Sequence, residues 1–253
     1  MNRVIDFPQW WWGPFGAAPS RRSFTEYVAD GTIDPELGAW LWVLIEHGAS
    51  TIVCAGPSGA GKSTLLTSLI SFLLPRRNLH FVRGRYERFE NIALPASTLL
   101  INEISSHLPI YLWGQGLVGA HQLAGQGAQL MATAHADSSG ELINQLVSFP
   151  NDVPMTDLGC WDIVVFLRAW IAGKAIHREI RAIDSFHLNS GGELAIDELA
   201  IRDRRRSALR VDFDAFRRLA MRSRIDPSIL DSEISQRAAL LLNPGSMRHR
   251  SRS

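Results

Sequence analysis

The run Gly56-Pro57-Ser58-Gly59-Ala60-Gly61-Lys62-Ser63-Thr64 matches the phosphate-cradling pattern G-x-x-x-x-G-K-[ST] at every fixed position. A loop of this kind turns successive backbone N–H groups toward a polyphosphate at the positive end of the helix that follows. Gly56, Gly59 and Gly61 let the backbone come close. Lys62 is placed to reach the β- and γ-phosphates as a point charge, and the Ser63 hydroxyl to ligate Mg²⁺. Of 26 basic residues only Lys62 and Lys174 are lysine, so lysine is kept where a compact ammonium rather than a planar fork suits the cradle. Two further side chains stand where chemistry at a phosphate needs them. Glu103 follows the apolar run Thr98 to Asn102, about 40 residues beyond the loop, and His135 follows the apolar run 128–134. An acid at such a strand end can hold the Mg²⁺ shell or orient an attacking water; a histidine there can contact the γ-phosphate. The plain alternatives are a glycine-rich turn that binds nothing, an acid that merely ends a strand and a structural histidine.

The elements that must position these groups are legible from pattern. Ser50 to Ala55 is a short β-branched, apolar run, and Leu65, Leu66, Leu69 and Ile70 follow at helical spacing, so the loop joins strand to helix. Upstream, Ser23 caps a short helix to Asp30, closed by Gly31. Asp34 caps a longer one, with Pro35 in its first position and Gly48 as its stop; its apolar stripe should pack on the sheet beside the loop strand. Strands are expected at Leu79 to Val82, at Thr98 to Asn102, at 128–135 and at Asp162 to Trp170. A helix is expected over Leu108 to Gly127, and another to Val147 after the capping-box spacing Ser138 to Glu141. Ala175 to Asp184 reads as an edge strand after a turn at Gly173-Lys174, and Gly191-Gly192 marks a second turn before Glu193 to Ala200. Helices at Asp212 to Arg222 and Pro227 to Leu242, the second capped by Asp226, finish the chain. Strands separated by helices and then a meander predict an α/β fold, a mostly parallel sheet flanked by helices with an antiparallel extension and a C-terminal helical segment. The expected divisions are a Trp-rich segment and linker at 1–22, a core at 23–200 and an Arg-rich helical segment and tail at 201–253.

Composition bounds the rest. With 253 residues, 46% hydrophobic and 20% charged, the chain can bury one large core or two modest ones. It has no uninterrupted apolar run long enough to span a membrane. Asp6, Pro8 and Pro14 break the Trp10-Trp11-Trp12 opening as a signal-peptide core. Cys54 and Cys160 lack metal-ligand or disulfide spacing, which predicts reduced core thiols in a cytoplasmic protein. The net charge of +1 conceals a skew: residues 201–253 carry 13 arginines against 6 acids, and residues 1–200 carry 13 basic against 19 acidic residues. Such a skew suits contact with nucleic acid, anionic lipid or a neighbouring subunit, or simply a solvated helical surface.

From about Ser23 to Leu242 the chain resembles the motor ATPases of type II and type IV secretion, type IV pilus assembly and DNA transfer, hexameric RecA-like P-loop NTPases. The likeness is carried by the approach Phe24-Thr25 through Ile33 and Leu41 through Val53, and by Leu100-Ile101-Asn102-Glu103-Ile104, which is similar to their Walker B variant. Further support comes from Gln129 to His135 with Ala136-Asp137-Ser138, similar to their histidine box, and from Asp162 to Val165 and Arg217 to Arg237. The resemblance implies that Lys62 and Ser63 bind ATP·Mg²⁺, that Glu103 positions water and metal, that His135 senses the γ-phosphate, and that Glu87 is the last acid of the family's Asp box. It also implies a homo-hexamer or mixed ring at the inner face of the cell membrane, working with an inner-membrane platform protein. Three departures stand out. Arg83-Gly84 replaces the acidic pair of the Asp box, Asn102 and Ser105 replace a glycine and an arginine around Glu103, and the 55 residues before Gly56 are too few for the family's arginine-donating front domain. Arg83 and Arg85 are the expected substitutes for those charges. The alternatives are an ATP-binding scaffold or regulatory subunit poor in hydrolysis, motivated by the missing acids, and a P-loop small-molecule kinase, for which Arg83, Arg85 and Arg88 could form a lid but the histidine box has no place.

Overall fold

The computed structural model describes residues 5–12, 21–56, 59–173, 175–203 and 208–243. Five strands, β1 (Thr51–Cys54), β2 (Asn78–Phe81), β3 (Ser97–Ile104), β4 (Gln129–Ala134) and β5 (Ile163–Ala172), pair in parallel. Three more, β6 (Ala175–Leu188), β7 (Leu194–Arg202) and β8 (Leu209–Val211), continue the sheet antiparallel, in the order β2-β3-β4-β1-β5-β6-β7-β8. Strand β4 thus lies between the loop-bearing β1 and the acid-bearing β3, and the fold is α/β, a mostly parallel sheet with an antiparallel extension, as expected.

All four residues of β1 and all six of β4 are buried, which a parallel sheet requires because helices cover both faces. The helices are α1 (Phe24–Ala29), α2 (Pro35–Glu46), α3 (Lys62–Ile70), α4 (Gln115–Gly125), α5 (Ser139–Val147), α6 (Phe213–Arg222) and α7 (Pro227–Leu242). Alternation along the strands divides the apolar residues into two layers. Val53, Leu100, Met131 and Val165 pack with α2, α3, α6 and α7 on one side. Ile52, Leu99, Leu130 and Val164 pack with α4 and α5 on the other. Helix α2 begins where the sequence says: the Asp34 carboxylate accepts from the N–H groups of Glu36 and Leu37 with Pro35 in the first turn, and Gly48 takes a left-handed φ of 99° at the exit. Trp40 and Trp42 are buried core, and α7 lies along α2, joined to it by the Arg237–Glu46 ion pair at 2.6 Å. Cys54 and Cys160 are free thiols.

Two expectations are corrected. Strand β6 is interior, bonded to β5 and β7, and extends to Leu188; the true edges are β2 and β8. Its first half reads as an edge because the β5–β6 hairpin projects past the covering helices and exposes Arg168, Trp170 to Ala172 and Ala175 to Arg178. The helix expected over 108–127 starts only at Gln115. Gly114, at φ 63°, breaks it, and the preceding segment instead packs on the 84–86 turn so closely that a Cβ on Gly84 would overlap Pro109 and Ile110. Residues 5–12 pack on the sheet. Trp11 is buried, donates from its indole N–H to Leu100 O at 3.1 Å, and sits edge-on to Phe81, while its carbonyl accepts from the Asn102 amide.

Candidate active site

Loop 56–61 leaves β1 and enters α3 at Lys62. Gly59 and Gly61 sit at φ 79° and 97°, a region closed to most L-residues, so glycine is required at both. Pro57 and Ser58, expected in the cradle, lie outside the described residues. Lys62 is buried at the first position of α3, with Ser63, Thr64 and Leu65 behind it.

The side chain of Glu103 reaches the loop because of a bulge. Ile101 pairs with Ala132 and Ile104 with Ala134, so β3 carries one extra residue opposite β4 at Asn102-Glu103. A bulge of this kind bends the strand and re-aims a side chain that regular alternation would direct elsewhere. Thr133 Oγ1 donates to Asn102 O and holds it. His135, one residue past β4, faces Gly56 O with Nδ1 at 2.9 Å and Glu103 Oε1 with Nε2 at 3.3 Å. With Nδ1 donating to the carbonyl, the other nitrogen is directed at the carboxylate. Lys62 Nζ is 3.3 Å from Nδ1 and 3.4 Å from Nε2, an equidistance that places the ammonium over the imidazole face rather than on either lone pair. Burial lowers the Lys62 pKa, and the Glu103 charge opposes that shift.

These groups line a cavity of about 440 Å³ with Gly59, Ala60, Gly61, Ser63, Thr64 and Leu65. That is within the ~300–1,000 Å³ of small-molecule sites. Away from the phosphate loop its wall has an apolar patch of Tyr27, Ile33, Leu167 and Ile180, with the polar Arg22, Thr32, Arg178 and Glu179 beside it. A flat base with a polyphosphate tail matches such a division.

Glu87 is not part of this site. Its carboxylate accepts from the N–H groups of Arg83, Arg88 and Phe89 and faces His80 Nε2 at 3.2 Å, so it closes its own turn. These backbone N–H donors and His80 hold its pKa below the usual carboxylate value against the opposing effect of burial, the largest single influence. Arg83 and Arg85 do not line the cavity either; Arg85 lies over Tyr86 and Trp113. The arginines that do line it are Arg22 and Arg178. Arg178 comes from the exposed half of β6, where strand pattern gives no hint of what it faces. Asp137 was also not anticipated: its Oδ1 accepts from Gly56 N–H at 2.8 Å, Arg181 donates to its carbonyl, and Glu141 accepts from its N–H. The signal was the Ser138 to Glu141 spacing, where the reciprocal bond falls one residue early.

Mg²⁺ fits the donors present. The Ser63 hydroxyl and the Glu103 carboxylate line the same cavity, and an ion that keeps water and phosphate oxygens as its other ligands needs no larger protein set. Among the described residues no group of three or more His, Cys, Asp or Glu side chains stands ready to hold a metal by itself.

No family model matches the chain. It is 24% identical over 197 residues to the uncharacterized protein MJ0900 of Methanocaldococcus jannaschii, a match covering 67% of this chain and 35% of that protein. To the uncharacterized protein MJ1287 of the same organism it is 38% identical over 55 residues, 22% of this chain and 20% of that one. The chain therefore spans about a third and a fifth of the curated relatives it matches. Among solved structures it is similar to the VirB11 ATPase of the Brucella suis type IV secretion system, crystallised with sulphate, at 17% identity and a TM-score of 0.36 over 80% of this chain and 66% of that one. It is also similar to the Legionella pneumophila ATPase DotB, at 12% identity and a TM-score of 0.39 over 90% of this chain and 60% of that one.

Proposed function

We propose that this chain binds Mg²⁺·ATP at loop 56–64 and hydrolyses it, as a motor subunit that powers pilus assembly, secretion or transfer across the envelope. The observation that carries the catalytic part is the convergence of Lys62, His135 and Glu103, from three different elements, on one cavity. The loop amides and Lys62 hold the phosphates. Glu103, beside the loop, orients the attacking water, and His135, tied to both Glu103 and the loop carbonyl, registers whether the terminal phosphate is present. Little covalent chemistry is asked of the protein, because phosphoryl transfer is accelerated mainly by positioning and by charge placed where it develops. Mg²⁺, held by Ser63 and the phosphates, would supply neutralisation of β- and γ-oxygen charge.

The motor part rests on the resemblance of the sequence motifs. It brings a ring of six copies or a mixed ring, an inner-membrane platform protein as partner, and a site in the cytoplasm at the inner face of the membrane. Among the described residues no helix is long and apolar enough to cross a membrane. Loss of the γ-phosphate would free His135 and let one subunit turn against the next.

A second reading, an ATP-binding scaffold poor in hydrolysis, is favoured by Glu87, whose carboxylate is occupied within its own turn. Phosphate release measured beside equilibrium ATP binding separates the two. The motor reading expects turnover by the wild type, a fall of roughly 100-fold or more in Glu103→Gln with ATP binding kept, and no binding in Lys62→Ala. Tight ATP binding without turnover, even on addition of a partner ATPase, would leave the scaffold.

A further inference from the structure

Arginines of this fold that come near an acid are mostly engaged by it. Arg202 pairs with Glu179, Arg222 with Asp197, Arg237 with Glu46, and Arg210 with Glu198. Arg22, at the cavity wall, pairs with Asp30, donates to Glu26 O and lies 3.9 Å over the Tyr27 ring. Arg178 differs. It stands on β6 two residues before Ile180, on the sheet face where Leu167 and Ile180 close the cavity, and among the described residues no carboxylate forms an ion pair with it. Its Nε and Nη2 both point at one atom, Gly59 O, at 3.2 Å each. A guanidinium fork is built for two oxygens of an anion; a single neutral carbonyl uses it poorly.

The surroundings leave it room to turn to an anion. Its path runs over Gly61, where a Cβ would stand 3.3 Å from Arg178 Cδ, so glycine keeps the approach open. Beyond Arg168 and Glu179 the β5–β6 hairpin leaves the cover of the helices, with Ile171 and Ile176 exposed at its end, so it can shift without opening the core. We propose that Arg178 is a polyphosphate ligand supplied in cis by the β5–β6 hairpin, reaching the phosphate chain over Gly59 and Gly61 at the start of α3. This rests on the nucleotide reading of the site and adds a second cationic side chain, beside Lys62, to the neutral donors of the loop amides.

The test is equilibrium binding of Mg²⁺·ATP and of inorganic tripolyphosphate at two ionic strengths. The chains compared are the wild type, Arg178→Gln, Arg178→Lys and Lys62→Ala, each with its thermal midpoint. Arg178→Gln is expected to weaken both ligands roughly tenfold, flatten the salt dependence and leave the midpoint in place. Arg178→Lys keeps the charge but loses the fork, and is expected to recover the salt dependence and part of the affinity. If Arg178→Gln binds both ligands as the wild type does while Lys62→Ala binds neither, the Arg178 proposal fails and the nucleotide site stands. If Arg178→Lys is as weak as Arg178→Gln, with an unchanged salt slope and a lowered midpoint, Arg178 only props the loop and the proposal is overturned. A wild-type chain that binds neither ligand sinks both.

Discussion

At the scale of single residues, the site depends on how closely side chains approach the loop backbone. Gly56 shows this most sharply: its N–H donates to Asp137, and a Cβ added to it would collide with the carboxylate oxygens of that same residue. Gly56→Ala must therefore displace Asp137 and the end of β4 that holds His135. ATP affinity is expected to fall about tenfold, and Asp137→Ala to lower it by less, since that change removes one exposed hydrogen bond without forcing a side chain against the loop. Because the two changes break one contact, the double variant should be no worse than Gly56→Ala alone; additive losses in a double-mutant binding cycle would show that the contact does not support the loop.

At the scale of elements, the sheet and α2 are stitched by one buried side chain. Gln129 of β4 donates from Nε2 to Ile45 O at 3.0 Å and Ala49 O at 2.8 Å, and its Oε1 accepts from Thr98 on β3. The carbonyls it meets lie in the last turn of α2 and just past it, where the helical ladder ends and Ile45 O keeps a tight-turn bond from Gly48 N–H. Gln129→Leu keeps the volume and abandons these partners in a dry interior, so a loss of about 3 kcal/mol is expected. Urea unfolding should report it as a lower midpoint at unchanged slope; a loss under about 1 kcal/mol would mean that the carbonyls find other donors. The bulge in β3 belongs to this scale too: one extra residue, invisible in the pattern 98–104, brings Glu103 to the loop.

For the whole molecule, two buried titratable groups give the stability opposing dependences on pH. Burial pushes His121 down to about 4 from 6.5; its Nδ1 meets Leu117 O and its Nε2 accepts from the Trp161 indole, which suits only the neutral ring. Burial pushes Asp162 up to about 6 from 3.8, against the hydrogen bond it receives from Ser50 N–H. At His121 the unfolded chain binds a proton that the native state refuses, so this group alone lowers stability as pH falls from about 6.5 to 4. At Asp162 the native state holds the proton longer, so this group alone lowers stability as pH rises from about 3.8 to 6. Each shift corresponds to about 3 kcal/mol. Asp162→Asn, which keeps an acceptor for Ser50, should therefore gain on the wild type by about 3 kcal/mol between pH 4 and pH 6 in denaturant titrations. A difference that does not change with pH would contradict the buried charge.

The sequence by itself determined the strand-loop-helix at 50–70, the caps at Asp34 and Asp226, the α/β class and the three side chains Lys62, Glu103 and His135. Those features are written in local spacing: a fixed glycine pattern, a cap three residues from its partner, an apolar run that ends in one polar group. Only the tertiary structure decided that Glu87 serves its own turn, that β6 is interior, that Trp11 docks on β3, and that Asp137 and Arg178 meet the loop. Each of these depends on contacts between residues far apart in the chain, such as the 119 positions between Gly59 and Arg178, and periodicity along one segment carries no record of what another segment brings beside it.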